Sequence, residues 1–228
     1  EIELHSNNSG APERSRAKTQ ALCAHLPDAV SLPMCFRQNG YRAFGAGKVF
    51  SSHDRPFFLA CGIFRPHLPW YTPKRFFDLY PLESIRLPKT PAEDLGDVPA
   101  EGRVLAAKRR AEFLNIKQHG KWKAAIRAYL ASISFADAQL GRLLDALEQS
   151  PHQRNTIIVF WSDHGWHLGE KNHWHKSTLW EEATRIPFII SAPGVTRAGT
   201  VCERSVDTLS IYPTLLELCG IMPTPDLD

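Results

Sequence analysis

Three side chains that could bind a metal or an anion follow a short apolar run near residue 160. Residues 157–161 are all apolar, as is typical of a strand buried on both faces of a sheet. The run ends at Asp163 and His164, and Lys176 follows in a segment rich in His and Trp. Because ligands bind at the carboxyl ends of strands in open α/β sheets, Asp163 and His164 can reach one ion there.

The same residues have a structural interpretation. A strand that ends in Ser162-Asp163 often only caps the next turn or helix. A zinc site is a second alternative, and its candidate ligands are His164, His167, His173 and His175. No HExxH motif accompanies them, and surface or supporting histidines are the simpler interpretation. The residues alone leave these alternatives open.

A second apolar run also ends in polar groups. Residues 57–61 predict another buried strand, and Arg65 and His67 follow it. Pro66 and Pro69 prevent a helix there, so we expect His67 in an extended loop. A histidine in a loop is usually just solvated, and the pattern by itself gives it no role.

Residues 41–44 predict a third strand, which leads into Gly45-Ala-Gly-Lys48. Small residues let the backbone come close to a bound group, and Lys48 supplies a cation. A lysine at the end of a strand is also a common surface residue, so Lys48 alone is a weak indication.

The remaining pattern predicts the elements that position these groups. Residues 121–149 carry apolar residues at steps of four and three, which predicts a long amphipathic helix. We expect shorter helices at 31–40 and 207–220 and a buried strand at 188–191. Residues 70–120 show little periodicity and predict a long loop region. Together these elements predict an α/β fold with a mostly parallel central sheet flanked by helices.

Composition excludes several classes of protein. The 228 residues are 43% hydrophobic and carry a net charge of +3, which indicates an ordinary globular chain. No apolar run approaches the roughly 20 residues of a membrane span, and the first residues do not resemble a signal peptide. The five cysteines form no CxxC pair, so neither a zinc knuckle nor a disulfide framework is indicated.

The positive charge is concentrated in one basic stretch. Its cations are Arg103, Lys108, Arg109, Arg110, Lys117, Lys121, Lys123 and Arg127. A solvated helix face is the common explanation of such a stretch, and an anionic polysaccharide is the functional alternative. A nucleic acid ranks low because no stacking aromatics or nucleic-acid module accompany the charges.

The full string around the first motif is more specific. Ser162-Asp-His-Gly165, Leu168-Gly-Glu170, Lys176 and Arg185-Ile-Pro187 resemble the sulfatase family of the alkaline-phosphatase-like hydrolases. The resemblance extends over most of residues 26–220 and is greatest to iduronate-2-sulfatase and its bacterial relatives. It implies an alkaline-phosphatase-like core that is incomplete at both ends. The expected organisation is an irregular segment at 1–25 and a partial sulfatase domain at 26–228, with 70–120 on the substrate side.

The resemblance also implies roles for individual residues. Lys48 and Lys176 would hold sulfate oxygens, and His67 would contact the sulfate or protonate the leaving oxygen, with Arg65 beside it in the substrate site. Asp163 and His164 would bind the family's divalent metal, which is usually calcium. Calcium prefers oxygen ligands, so a histidine ligand leaves magnesium and manganese open.

Two parts of the family's active site are not found in the sequence. The nucleophile lies in a Cys/Ser-x-Pro/Ala-x-Arg motif, which no cysteine or serine satisfies; Cys61 has Ile63 where Pro or Ala belongs, and Ser9 misses the arginine by one residue. The paired Asp that completes the metal site is also absent. We therefore expect an internal portion of a sulfatase with negligible turnover of its own.

The chain departs from its relatives after Lys48 as well. They usually carry a His three residues later, where this chain has Ser51, and His53 is a weak substitute. The segment 51–56 is also short. If 41–44 and 57–61 are parallel neighbours, such a link is shorter than a crossover requires, which suggests a displaced strand or a deletion.

The function implied by the resemblance is hydrolysis of a sulfuric ester in a sulfated sugar or polysaccharide, as in glycosaminoglycan degradation. The alternatives are a phosphoester hydrolase of the same superfamily and a non-catalytic binder of sulfated glycan. The resemblance implies export, to the periplasm, the extracellular space or the lysosome. It implies no nucleic-acid or membrane partner and leaves the oligomeric state open.

Overall fold

The computed structural model describes residues 32–45, 56–91 and 93–222. The chain forms two compact units, one of residues up to Ile63 and from Glu203 onward, the other of Phe64–Cys202. The segment 1–25, which includes Ser9, lies outside the described residues, and so do Lys48, Ser51 and His53. Within the described part, no helix has the length and apolar character to span a membrane.

Helices and strands occur in mixed order along the chain. The helices are α1 (Leu32–Gln38), α2 (Lys74–Phe77), α3 (Ala100–Ala107), α4 (Arg110–Gln118), α5 (Trp122–Glu148), α6 (Glu181–Thr184) and α7 (Ile211–Leu218). The strands are β1 (Arg42–Gly45), β2 (Phe57–Ala60), β3 (Ile158–Trp161), β4 (His167–Leu168), β5 (Trp174–His175) and β6 (Phe188–Ser191). Single 3-10 turns lie at Leu82–Ser84, Glu170–Asn172 and Thr208–Ser210.

In the first unit, β1 and β2 pair in parallel, with Arg42 opposite Phe57. The inference that their connection is too short was therefore wrong. The whole link is 46–56, and at about 3.3 Å per residue it can return along a strand of four residues. Phe36 of α1 anchors this unit because its ring packs 4.8 Å from that of Phe58.

The second unit is built on α5, and the predicted long helix is confirmed to within one residue at each end. Its 27 residues span about 40 Å. The core against it consists of Ile85, Phe113, Ile126 and Trp174. Phe113 is fully buried, so α4 and the segment of Trp174 are both held against α5 by apolar burial.

The predicted loop at 70–120 was wrong in part, because α2, α3 and α4 lie inside it. Each of these helices buries a single residue, respectively Phe76, Ala106 and Phe113. One buried position per helix leaves almost no apolar periodicity to recognise. The prolines that suggested a loop instead precede helices, as Pro99 does at the N-cap of α3.

The strands also differ from the prediction. β3 pairs antiparallel with β6, and the parallel pair among the described residues is β1 with β2. The expected burial on both faces was wrong, since Trp161 is 46% and Ile189 57% exposed. Each of these strands has a single strand neighbour among the described residues. A continuous apolar run does not say how many neighbours a strand has.

Candidate functional site

The site begins where β3 ends. Ser162 Oγ donates a 2.8 Å hydrogen bond to the His164 carbonyl, and the Gly165 amide donates a 2.7 Å bond to the Ala183 carbonyl of α6. These bonds fix the backbone on either side of His164. The Asp163 side chain is 82% exposed and that of His164 only 26%. The strand end therefore presents a solvated carboxylate beside a half-buried imidazole, as expected for residues at the carboxyl end of a strand.

Lys176 meets this pair directly. Its Nζ lies 2.6 Å from His164 Nε2, and Asp163 Oδ2 lies 3.4 Å from the same nitrogen. His164 Nδ1 lies 2.8 Å from the Gly165 carbonyl, an acceptor only, so the neutral ring carries its proton on Nδ1. The Nε2 lone pair is then free to accept from the Lys176 ammonium or to bind a metal. Asp163, His164 and Lys176 therefore lie together in the structure.

The backbone around Lys176 is unusual and strongly held. His175 and Ser177 on either side of it both have φ of 76°, in the left-handed region that costs an ordinary residue about 1–3 kcal/mol. His173 is fully buried, and its Nε2 lies 3.0 Å from the Lys176 carbonyl. Trp174 is 2% exposed in the core. The buried neighbours hold Lys176 in a conformation that the chain would not adopt by itself.

Glu112 is a site-supporting residue that the sequence did not reveal. Its Oε2 lies 2.5 Å from His175 Nε2, which ties α4 to the residue before Lys176. Burial lowers the pKa of His175, while the carboxylate of Glu112 opposes that shift. Glu112 lies within the basic stretch, and no local pattern there indicates a partner more than sixty residues away.

The four histidines do not form a zinc centre. Among residues 32–45, 56–91 and 93–222, no cluster of three metal-ligating side chains exists. His167 is fully buried, with Nε2 2.7 Å from Thr178 Oγ1, and His173 Nδ1 lies 3.0 Å from the Ala106 carbonyl. Burial lowers the pKa of His167, with the nearby ring of His173 adding to the effect. These buried rings brace the fold.

An aromatic cluster backs the site. The Trp166 ring lies 4.5 Å from that of His175, 5.9 Å from Tyr129 and 6.3 Å from Trp70. Burial raises the pKa of Tyr129. Trp166 Nε1 is a buried donor without a hydrogen-bond partner in the described part of the chain. A donor left unpaired beside His164 is costly unless a bound group supplies an acceptor.

His67 lies in the expected loop, and the structure shows no hydrogen bond from it to Asp163, His164 or Lys176 among the described residues. Its Nδ1 lies 2.6 Å from the Leu68 carbonyl, so the exposed Nε2 is its available nitrogen. Arg65 donates to the carbonyl oxygens of His67 and Tyr71 at 3.1 and 3.3 Å. Arg65 therefore holds the loop in shape.

The donor set at Asp163 and His164 fits one end of a metal site. It offers a carboxylate oxygen and an imidazole lone pair 3.4 Å apart, both suitable for a divalent cation. Two donors are fewer than the six or more oxygen ligands that calcium takes. The ammonium of Lys176 at the lone pair suits an anion bound beside the metal. Any metal held here needs further ligands besides these two.

Comparison with known proteins gives one consistent family. The Sulfatase family model matches residues 46–221. A sulfatase from Formosa agariphila is 49% identical over 173 residues, covering 75% of this chain and 34% of the relative. Human iduronate 2-sulfatase is 36% identical over 203 residues, covering 75% of this chain and 37% of the relative. The chain thus spans about a third of the length of these curated relatives.

Solved structures agree on the fold. A protein in complex with its substrate D-glucosamine-2-N,6-O-disulfate superposes with a TM-score of 0.67 at 19% identity, covering 88% of this chain and 63% of that one. Phosphonate monoester hydrolase from Silicibacter pomeroyi superposes with a TM-score of 0.65 at 26% identity, covering 77% and 36%. The predicted alkaline-phosphatase-like α/β core is confirmed by these likenesses. On its sequence match and its fold, this chain belongs to the sulfatase family.

Proposed function

We propose that this chain supplies part of the active site of a sulfuric ester hydrolase. The observation that carries the proposal is the arrangement at the end of β3, where Lys176 Nζ and Asp163 Oδ2 lie 2.6 and 3.4 Å from His164 Nε2. A carboxylate and an imidazole lone pair suit a cation, and the ammonium beside them suits an anion. Cation and sulfate can therefore be held side by side, as hydrolysis of an anionic ester requires.

Lys176 holds the sulfate oxygens in this proposal, a role that the resemblance also implies for Lys48, which lies outside the described residues. The backbone at Lys176 is held by the buried ring of His173, whose Nε2 lies 3.0 Å from the Lys176 carbonyl, and this keeps the ammonium near the end of β3, where it can hold an anion. The unpaired Trp166 Nε1 offers a further donor on a ring 6.5 Å from that of His164. His67 contacts the sulfate or protonates the leaving oxygen through its exposed Nε2, and Arg65 keeps the loop of His67 in shape.

Asp163 and His164 hold the divalent cation, for which calcium is the first choice and magnesium or manganese the alternatives. When bound, the cation neutralises charge on the sulfate oxygens. His164 keeps its Nε2 lone pair available because Nδ1–H donates to the Gly165 carbonyl. The Asp163 carboxylate is accessible to an ion from solvent, because its side chain is 82% exposed.

The substrate class is a sulfated sugar or polysaccharide. Support comes from the names of relatives: an N-acetylglucosamine-6-O-sulfatase of Bacteroides thetaiotaomicron is 36% identical over 107 residues, and human iduronate 2-sulfatase is 36% identical over 203. Enzymes that act on such polymers meet them outside the cytoplasm, so export to the periplasm, the cell exterior or the lysosome belongs to the proposal. The likeness to a phosphonate monoester hydrolase makes phosphoester hydrolysis the second candidate.

Terbium luminescence tests the cation site, because Tb³⁺ replaces Ca²⁺ and Trp166, 6.5 Å from the His164 ring, can sensitise it. We expect Asp163→Asn to weaken Tb³⁺ binding by about tenfold or more, since one charged oxygen ligand is lost. The control is Asp145→Asn, the same change at an exposed position of α5. Equal binding by wild type and Asp163→Asn would overturn the metal assignment.

Lys176→Met tests the anion site with two readouts of opposite sign. Removing the ammonium 2.6 Å from His164 Nε2 should weaken binding of inorganic sulfate and strengthen binding of Tb³⁺. Lys108→Met, on the exposed surface, should change neither. A variant that leaves sulfate affinity unchanged would contradict the role of Lys176.

Turnover is the remaining measurement. With an aryl sulfate and calcium or magnesium, we expect negligible hydrolysis by this chain, because its sequence offers no formylglycine motif to act as nucleophile. An aryl phosphate and an aryl phosphonate serve as parallel substrates. Hydrolysis that Asp163→Ala abolishes would overturn this expectation, and the substrate hydrolysed would decide between the two candidate functions.

A further inference from the structure

A polar cleft lies on the unit Phe64–Cys202, and neither Asp163 nor His164 lines it. Its walls are Glu93, Leu95, Gly96, Arg103, Arg110 and Asn172, and its volume is about 230 Å³. A water molecule occupies about 30 Å³ in the liquid, so the cleft has room for a group the size of a sulfate or carboxylate with several waters. The basic stretch, which the proposed active site leaves without a role, supplies both arginines.

The charges in the cleft favour an anion. Arg103 and Arg110 bring two guanidinium groups, and neither forms an ion pair with any residue that the structure describes. The nearby Asp94 is already neutralised, because Lys171 Nζ lies 2.9 Å from its Oδ1. That hydrogen bond raises the pKa of Lys171. Among the residues that line the cleft, Glu93 is the one acidic group and two arginines oppose it, so the lining has a net positive charge.

The cleft is a built feature of the unit. Lys171 also donates its backbone N–H to Asp94 Oδ2 at 3.1 Å and its ammonium to the Asp94 carbonyl at 3.0 Å. These bonds lock the loop of Glu93 to the turn of Asn172. Lys171 and Asn172 have φ of 55° and 52°, so two consecutive residues are held in the left-handed region. Strain of this kind persists only where the surroundings enforce it.

The cleft and the proposed active site share one short segment. Asn172 lines the cleft and Lys176 holds the proposed sulfate position, and four residues of chain span at most about 15 Å. The helix α3 that carries Arg103 also places its Ala106 carbonyl 3.0 Å from His173 Nδ1. An oligosaccharide of a few residues is long enough to reach from one position to the other.

We propose that this cleft binds a second anionic group, a sulfate or a carboxylate, of the same saccharide whose sulfate ester lies at Lys176. The proposal rests on the proposed function for its choice of a saccharide. Guanidinium groups match both oxyanions in bidentate geometry, and Asn172 adds an amide donor. The cleft then selects saccharides that carry a second negative charge at a fixed spacing from the ester.

Calorimetric titration of the full chain with two tetrasaccharides tests the cleft. One is a heparin tetrasaccharide, and the other is a hyaluronan tetrasaccharide, which has carboxylates but no sulfate. We expect the double variant Arg103→Gln/Arg110→Gln to weaken binding by about tenfold or more, since two charge-assisted contacts are lost. Glu93→Gln should strengthen it several-fold. The control Lys108→Gln/Lys121→Gln removes the same charge from exposed positions of the same stretch and should cost less than about threefold.

The outcomes are distinct. Equal losses of affinity in the two double variants would mean unspecific attraction to the basic stretch and would overturn the proposed cleft. Unchanged affinity in both double variants, or no binding of either saccharide by wild type, would also overturn it. Binding of hyaluronan that depends on both arginines assigns a carboxylate, and dependence with heparin alone assigns a sulfate. Repeating the titrations with Lys176→Met separates the two proposals. If this variant no longer binds inorganic sulfate but its saccharide binding still depends on Arg103 and Arg110, both sites are supported. If Lys176→Met binds inorganic sulfate as wild type does and the dependence on the two arginines remains, only the proposed function is overturned.

Discussion

Gly165 is the residue whose replacement should disturb the site most directly. A Cβ at this position would lie 2.1 Å from the Glu182 carbonyl oxygen and 3.0 Å from its carbon, where ordinary contact begins at 3.4 Å. The obstacle is backbone, so no side-chain rotation relieves it. Gly165→Ala must therefore push the strand end at His164 and helix α6 apart by about 1 Å.

The size of the effect follows from two contributions. Overpacking of this kind costs about 1–3 kcal/mol. The 2.7 Å hydrogen bond from Gly165 N to the Ala183 carbonyl would be weakened or lost, at about 0.5–1.5 kcal/mol. We expect Gly165→Ala to lower the free energy of unfolding by about 2–4 kcal/mol. With an m-value of about 2 kcal/mol/M, the urea midpoint falls by about 1–2 M.

Tryptophan fluorescence during urea unfolding is the suitable assay. All six tryptophans lie between residues 70 and 180, inside the unit Phe64–Cys202 that contains Gly165, so the signal reports that unit. The matched control is Gly141→Ala in α5, where an added Cβ meets no heavy atom within 4 Å. It should raise the free energy of unfolding by about 0.5–1 kcal/mol, because alanine favours a helix.

The same substitution, glycine to alanine, should lower the free energy of unfolding at position 165 and raise it at position 141, and this difference in sign is the test. Gly165→Ala within about 0.5 kcal/mol of wild type would refute the close approach of α6 to the strand end. Destabilisation by Gly141→Ala would mean that the open side of α5 is covered. The Tb³⁺ titration proposed above adds a functional readout, since a displaced His164 should bind the ion more weakly.

Two further predictions concern stability. Burial lowers the pKa of His167 and His175, so on acidification the unfolded chain binds protons at these histidines before the folded chain does. The stabilisation should therefore be fully present above about pH 6.5 and be lost as the pH falls below it. His167→Gln should reduce the fall in the urea midpoint between about pH 7.5 and 5.5, and it should lower stability at neutral pH. Trp122→Phe removes the 2.7 Å bond from Nε1 to the Leu168 carbonyl and should cost about 1 kcal/mol by circular dichroism; no loss would mean that water replaces the indole.

The sequence was sufficient to predict those elements that depend on a local pattern of apolar residues. Helix α5 was located to within one residue at each end because its apolar stripe repeats over 27 residues. The partner of β3 could not be predicted, since an apolar run of four or five residues fits a parallel or an antiparallel neighbour equally well. Helices α3 and α4 were missed because each contributes one buried side chain to the unit.

The candidate site was predictable only in its first part. Asp163 and His164 follow a strand end, where ligand-binding residues are common, and position alone indicated them. The contact of Lys176 with His164 depends instead on the β4–β5 hairpin, in which His167 pairs with His175. That hairpin turns through two left-handed non-glycine residues, Lys171 and Asn172. No propensity predicts such a turn, because the surrounding hydrogen bonds enforce it.

The four histidines from 164 to 175 show why residue type and spacing do not suffice to assign a metal site. Both nitrogens of His167 and both of His173 lie within 3.2 Å of protein oxygens, and Nε2 of His175 is taken by Glu112. A ligand nitrogen must keep a lone pair that no rigid protein group occupies. His164 meets this condition, because its Nε2 contacts only the end of a flexible lysine and a solvated carboxylate. Of the four rings, His164 is therefore the one proposed to bind a ligand, because the nitrogens of His167 and His173 and Nε2 of His175 already contact protein oxygens.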